Sequence, residues 1–219
     1  MALPHDVSLP DALHGPRVRL RPLGQDDAAA LWEAINESRD HLAPWLPWVR
    51  HVQALADAQA HIARARTRWR RGTDLAMGIF ARDEGHLLGG CTLYPHTWAL
   101  RVFEIGYWLR RTARGHGYAA ETVQVLTRFA FEELKANRVE IRVDPRNAKS
   151  RAVAERIGFV YEGTLRRCAP GADGKPADRM VYALIADDDQ RPDWANDGEN
   201  KIGTATKPSA RSGDLPSPL

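Results

Sequence analysis

The stretch EIGYWLRRTARGHGYAAETVQVLTRFAFEEL, residues 104–134, constrains this chain more than any other. An apolar run that reads as a strand hands over to a run that reads as an amphipathic helix. Gly115 and Gly117 sit at the hand-over, among Arg110, Arg111, Arg114 and His116. A helix N-terminus presents unpaired N–H groups and the positive end of the helix dipole, and glycine lets an anion approach the backbone. The combination suits a phosphate. Gly115-His116-Gly117-Tyr118-Ala119-Ala120 also fits the dinucleotide pattern G-x-G-x-x-G/A, with Asp144 ending the next strand run. Against that fold, the turn lies mid-chain, residues 110–114 separate the strand from the first glycine, and too little chain follows for the second half of a parallel sheet. A P-loop needs Gly-Lys-Ser/Thr, and the sequence has none.

Periodicity places the other elements. VRLRPL (18–23) alternates as a strand, and 26–38 reads as a helix with Asp26 as cap and Leu31 and Ile35 on one face. The Pro–Trp steps of HLAPWLPWV (41–49) argue against a helix interior. Residues 57–71 read as a second helix. The runs 74–81, 86–94 and 101–109 have the turns of an antiparallel meander. After the glycines, 121–134 predicts a helix, 138–144 a strand, and 147–159 a short helix capped by Asn147 and stopped by Gly158. Runs 159–167 and 178–186 predict a last strand pair. The fold class is therefore α+β: one domain over 1–186 with a mixed, mostly antiparallel sheet of about seven strands flanked by helices. Residues 1–15 read as a loose arm, and 187–219, polar and rich in Pro, Gly and Ser, as a disordered tail.

Composition narrows the function. With 43% hydrophobic and 27% charged residues and no long apolar run, the chain reads as a globular protein without a membrane segment. It begins without a secretory pattern. Two cysteines, Cys91 and Cys168, cannot build a disulfide framework or a metal cluster, so a cytoplasmic setting is expected. There is no G-x-S-x-G, H-E-x-x-H or C-x-x-C, so no covalent serine chemistry and no metal are expected. The arginines of HIARARTRWRR (61–71) fall mostly at i, i+2 and spread around the helix. Nucleic acid is thereby disfavoured and a solvated face favoured, with contact to an acidic partner left open.

Arg114-Gly115-His116-Gly117-Tyr118-Ala119 resembles R/Q-x-x-G-x-G/A, the pyrophosphate loop of the GNAT family of acetyl-CoA-dependent N-acetyltransferases. EIGYWL before it, Asn147, Ser150 and Ile157-Gly158-Phe159 after it, the HLAPWLPWV segment and YEGTLRR (161–167) resemble the branch that acetylates ribosomal-protein N-termini (RimJ/RimL-type). The resemblance covers roughly residues 17–186. It implies a transferase that moves an acetyl group from acetyl-CoA, its cosubstrate, to a primary amine by direct attack. It also implies that acetyl-CoA lies in a splay between the fourth and fifth strands.

Site roles follow from the resemblance. Arg114, Gly115, His116, Gly117, Tyr118, Ala119 and Asn147 are implied at the cofactor, with the backbone of Trp108 and Leu109 along the pantetheine arm. Ser150 is implied as the acid that meets the departing sulfur; Ala154 stands where many relatives carry a tyrosine. Glu104 is the base candidate, because it interrupts an apolar strand on the same face as Gly106 and Trp108; the bland alternative is a solvent-facing glutamate. The branch's own glutamate base has no counterpart, since 166–171 contains no carboxylate. Trp45 and Trp48 are candidate walls of the acceptor site. The acceptor is a protein N-terminus or, alternatively, a small amine; a non-catalytic CoA-binding module is the third reading. A homodimer is compatible with all three.

Overall fold

The computed structural model describes residue 4, residues 7–187 and residues 192–195. Eight strands form one sheet: β1 (Leu13–His14), β2 (Val18–Arg21), β3 (Leu75–Ala81), β4 (Leu87–Thr97), β5 (Val102–Leu109), β6 (Arg138–Val143), β7 (Val160–Pro170) and β8 (Pro176–Ile185). Their order across the sheet is β1-β2-β3-β4-β5-β6-β8-β7. All neighbours are antiparallel except β5 and β6. Four helices cover the faces: α1 (Ala28–Leu42), α2 (Leu55–Arg71), α3 (Tyr118–Glu132) and α4 (Ala148–Arg156).

Strand alternation splits the core into two layers. Leu75, Met77 and Ile79 of β3 pack with Val123, Leu126 and Phe129 of α3. Phe80, from the same strand, joins Leu31 and Ile35 of α1 and Ile62 of α2 on the other face. The four-apart pair Leu31 and Ile35 thus faces the sheet, as the sequence period requires.

The expected elements are present, with local corrections. The eighth strand is β1, inside the arm expected to be loose: Leu13 pairs with Leu20 and is fully buried. Asp27, not Asp26, organises the start of α1, its carboxylate accepting the Gly24 N–H at 2.7 Å and both Arg21 terminal nitrogens. Helix α1 continues to Leu42, and the second Pro–Trp step forms a short 3-10 turn, Pro47–His51. Asn147 caps α4, accepting the Ser150 N–H, and Gly158 (φ +89°) ends it.

Residues 188–191 and 196–219 of the predicted tail lie outside the described residues. Pro192–Ala195, however, docks. The Trp194 indole N–H donates to the Ile157 carbonyl at 3.1 Å, and Ala195 is buried. Ending the chain after Asp187 is expected to cost about 2 kcal/mol from the partly buried indole, read as a melting temperature lower by roughly 4–8 °C. Trp194→Ala should reproduce most of that loss; unchanged melting in both would show that the turn adds nothing to stability.

Candidate active site

The parallel seam in the sheet is short. Val102, Phe103 and Glu104 of β5 pair with Arg138, Val139 and Glu140 of β6, and no pairing between these strands follows. β5 runs on to Leu109, so from Ile105 onward its β6-side edge has no strand partner. This is the splay expected between the fourth and fifth predicted strands, here β5 and β6. α4, which follows β6, closes the other side. Across the gap the Tyr107 hydroxyl and Ser150 Oγ lie 3.0 Å apart. Ser150 sits in the first turn of α4, where the dipole favours negative charge, and Asn147 fixes that turn through the Ser150 N–H at 3.2 Å.

The glycine loop lies at the end of β5. A short 3-10 turn, Arg111–Ala113, leads into it. Gly115 (φ +85°) and Gly117 (φ +83°) both adopt left-handed conformations, and no atom comes within 4 Å of where a Gly115 Cβ would stand. The first backbone bond of α3 runs from the Glu121 N–H to the Gly117 carbonyl. The N–H groups of Tyr118, Ala119 and Ala120 therefore face out of the helix start. Open backbone, unpaired donors and a dipole end fit a pyrophosphate.

Glu121 would oppose an anion there, but its charge is consumed. It is 7% exposed, accepts the N–H groups of Arg17 and Val18 at 2.6 and 3.0 Å, and pairs with the Arg17 guanidinium. Arg17 also donates to the His116 carbonyl at 2.9 Å and stacks over Tyr118. Arg114 is half-buried in the loop and His116 is exposed. Arg110 is not part of the phosphate mouth: its guanidinium ties the loop to Glu33 and Glu37 of α1. His41 of α1 contacts the Leu109 carbonyl at 3.1 Å, and its pKa is lowered by burial and then by Arg114, Arg111 and Lys149.

Glu104, Gly106 and Trp108 share the opposite face of β5, as period two requires. Glu104 is no free surface glutamate. Its carboxylate lies 3.0 Å from His96 Nε2 and 3.5 Å from Arg142, and β6 sets Glu140 beside it. Burial, the largest influence, pushes the Glu104 carboxyl up; Arg142 and His96 oppose this, while Glu140 adds to it. His96, Glu104 and Glu140 place ligand atoms within 4.8 Å of one another. The guanidinium groups of Arg138 and Arg142 already hold both oxygens of Glu140 at 2.9 and 2.8 Å, so positive charge is supplied there by arginine.

Beyond Gly106 a cavity of about 450 Å³ runs under α1 and α2, walled by Trp48, His61, Trp69, Tyr94 and Trp108. Trp48 stacks on His61 (4.9 Å between centroids) and meets Trp108 edge-on at 6.1 Å. Gly89 and Gly90 of β4 make room for Trp108: a Cβ would lie 2.1 Å from its carbonyl oxygen or 2.5 Å from its Nε1. Of the two tryptophans expected at the acceptor, Trp48 lines this cavity and Trp45 does not. Arg64, Arg66 and Arg68 also line it, so the arginines of α2 are not merely a solvated face. Sequence reading missed Tyr107, His41, Arg17 and His96, whose importance depends on partners remote in the chain.

Residues 17–160 match the acetyltransferase (GNAT) domain family. The chain belongs to the GNAT family. Within it, the chain is 34% identical over 170 residues to YdaF of Bacillus subtilis, provisionally named a ribosomal N-acetyltransferase; the match covers 77% of this chain and 91% of that one. The ribosomal-protein-serine acetyltransferase of Escherichia coli is 28% identical over 78% of this chain and 93% of its own. Mycobacterium smegmatis RimJ, solved in complex with CoA-disulfide, superposes with a TM-score of 0.74 at 31% identity, covering 81% of this chain and 88% of that one. This GNAT protein is thus an acetyl-CoA-dependent N-acetyltransferase, similar to enzymes of RimJ/RimL type. Among its described residues no helix is long and apolar enough to cross a membrane.

Proposed function

We propose that the acceptor is the α-amine of a protein or peptide N-terminus, deprotonated by Glu104, with Ser150 and Tyr107 as the proton-donating pair. The cavity under α1 and α2 carries this reading. It reaches Gly106 and Trp108 of the splayed strand from the opposite sheet face, so an extended acceptor can enter without crossing the cofactor cleft. Its volume lies in the ordinary range for ligand sites. Relatives named for ribosomal-protein substrates support the same acceptor class.

Bound acetyl-CoA supplies an activated acetyl thioester. Gly115, Gly117, the N–H groups of Tyr118, Ala119 and Ala120, and Arg114 hold its phosphates, His116 edges the loop, and Trp108 and Leu109 offer the backbone edge of β5 to the pantetheine arm. Asn147 contributes through Ser150, whose first-turn position it fixes. Trp48 walls the acceptor. An α-amine has a reference pKa of about 7.7–8.0, against about 10.4 for lysine, so a base of modest strength suffices. Burial raises the Glu104 carboxyl toward the working range of a general base. On this reading Ser150 Oγ–H protonates the departing sulfur, and the Tyr107 hydroxyl, 3.0 Å from Ser150 Oγ, returns a proton to it.

The test is thiol release from acetyl-CoA with N-terminal peptides of ribosomal proteins against polyamines, amino acids and aminoglycosides. Peptides should be preferred, with the acetyl group on the α-amine by mass spectrometry. Turnover of small amines alone would overturn the reading.

Glu104→Gln should lower kcat by about 100-fold near neutral pH. In the wild type, activity falls as pH drops through the raised Glu104 pKa, because the base becomes protonated. The variant should lack that limb and regain part of its rate at high pH, where solution deprotonates the amine. Parallel pH–rate profiles with equal plateaus would remove Glu104 from the reaction.

A further inference from the structure

The mouth of the acceptor cavity is positively charged in a way the transfer of an acetyl group does not require. His61, Arg64 and Arg68 follow at i, i+3 and i+7 on α2, which puts them on one helix face, and all three line the cavity. Arg68 is paired with Asp74 at 2.5 Å, and Asp74 is the one carboxylate among the cavity's lining residues. Arg64 is exposed and makes no ion pair among the described residues. Arg66, also exposed, lines the cavity too. The aromatic wall Trp108–Trp48–His61 runs from the splayed strand to this rim. An acceptor whose amine lies at Gly106 would therefore extend along aromatic rings toward uncompensated guanidinium charge.

We propose that this site selects N-termini followed within the first few residues by aspartate or glutamate, with Arg64 as the residue that recognises the carboxylate. The inference rests on the peptide-acceptor reading and adds a charge class to it. Guanidinium matches carboxylate geometry with paired donors. Charge recognition at an exposed rim acts over a Debye length of about 8–10 Å, so it weakens with salt.

The experiment compares three peptides with one N-terminal residue and acidic, neutral or basic side chains at positions 2–5, at low and high salt, with wild-type protein and Arg64→Glu. In the wild type the acidic peptide should exceed the neutral one about tenfold in kcat/KM at low salt, mostly through KM, and the gap should narrow at high salt. Arg64→Glu should remove the acidic preference and favour the basic peptide. Melting of the variant controls for folding, and the wild-type salt series tests the proposal without any substitution. Equal rates on acidic and neutral peptides would overturn the charge selection and leave the peptide reading standing. Acetylation of small amines but no peptide would overturn both.

Discussion

Gly117→Val is expected to lower acetyl-CoA affinity at least 100-fold, while the two core layers of the domain remain folded. Gly117 opens α3 with φ +83°, and its Cβ would stand 3.2 Å from Arg17 Nη2. A β-branched side chain there strains the backbone by about 1–3 kcal/mol and pushes against the guanidinium that holds the loop. Gly115→Ala separates the two causes. Gly115 has a similar φ of +85° but open space around its Cβ position. Backbone strain alone should weaken binding less than strain with displacement of Arg17. Calorimetric titration with acetyl-CoA beside thermal melting decides: wild-type affinity in both variants would dismiss the loop as the phosphate site.

Ser150→Ala is expected to reduce kcat by about 10²–10³-fold with little change in acetyl-CoA affinity, since its hydroxyl is needed as charge develops on sulfur. The structure adds a complication, because removing Ser150 Oγ leaves the half-buried Tyr107 hydroxyl without its 3.0 Å partner. That loss is on the order of 1 kcal/mol of stability. Tyr107→Phe removes the other half of the pair while leaving Ser150. A double-mutant cycle on kcat and on melting then apportions the pair. Coupling in kcat marks a shared proton path. Coupling confined to melting, with normal turnover in every variant, would make the pair structural.

Local pattern carried much of the fold. The period of 121–134 marked α3, Asn147 and Gly158 marked the two ends of α4, and the paired glycines marked the left-handed turn that opens α3. These signals are legible because their partners lie within a few residues. Tyr107 reads as one more apolar strand residue, since its hydroxyl partner lies 43 positions on. Glu104 reads evenly as base or surface group until β4 and β6 bring His96, Arg142 and Glu140 around it. The arginines of α2 look scattered by spacing, yet the sheet beneath selects which of them overlook the cavity. Trp45 and Trp48 are equivalent in sequence, and only the path of the chain after α1 separates them. β1 is only two residues long, too brief for a period to show, and the docked Trp194 lies alone in a polar flank.

The clasp between Arg17 and Glu121 joins positions 104 apart. Contacts of such separation are slow to close, because the intervening chain must first be ordered. Residue 17 is synthesised long before residue 121, so β2 must wait, unsupported on that side, for the partner that fixes its first amide. The glycine loop, which Arg17 also holds through the His116 carbonyl, is thereby fixed only when the earliest and middle parts of the chain meet. On the proposed reading of that loop as the phosphate site, competence to take up acetyl-CoA would report on completed folding.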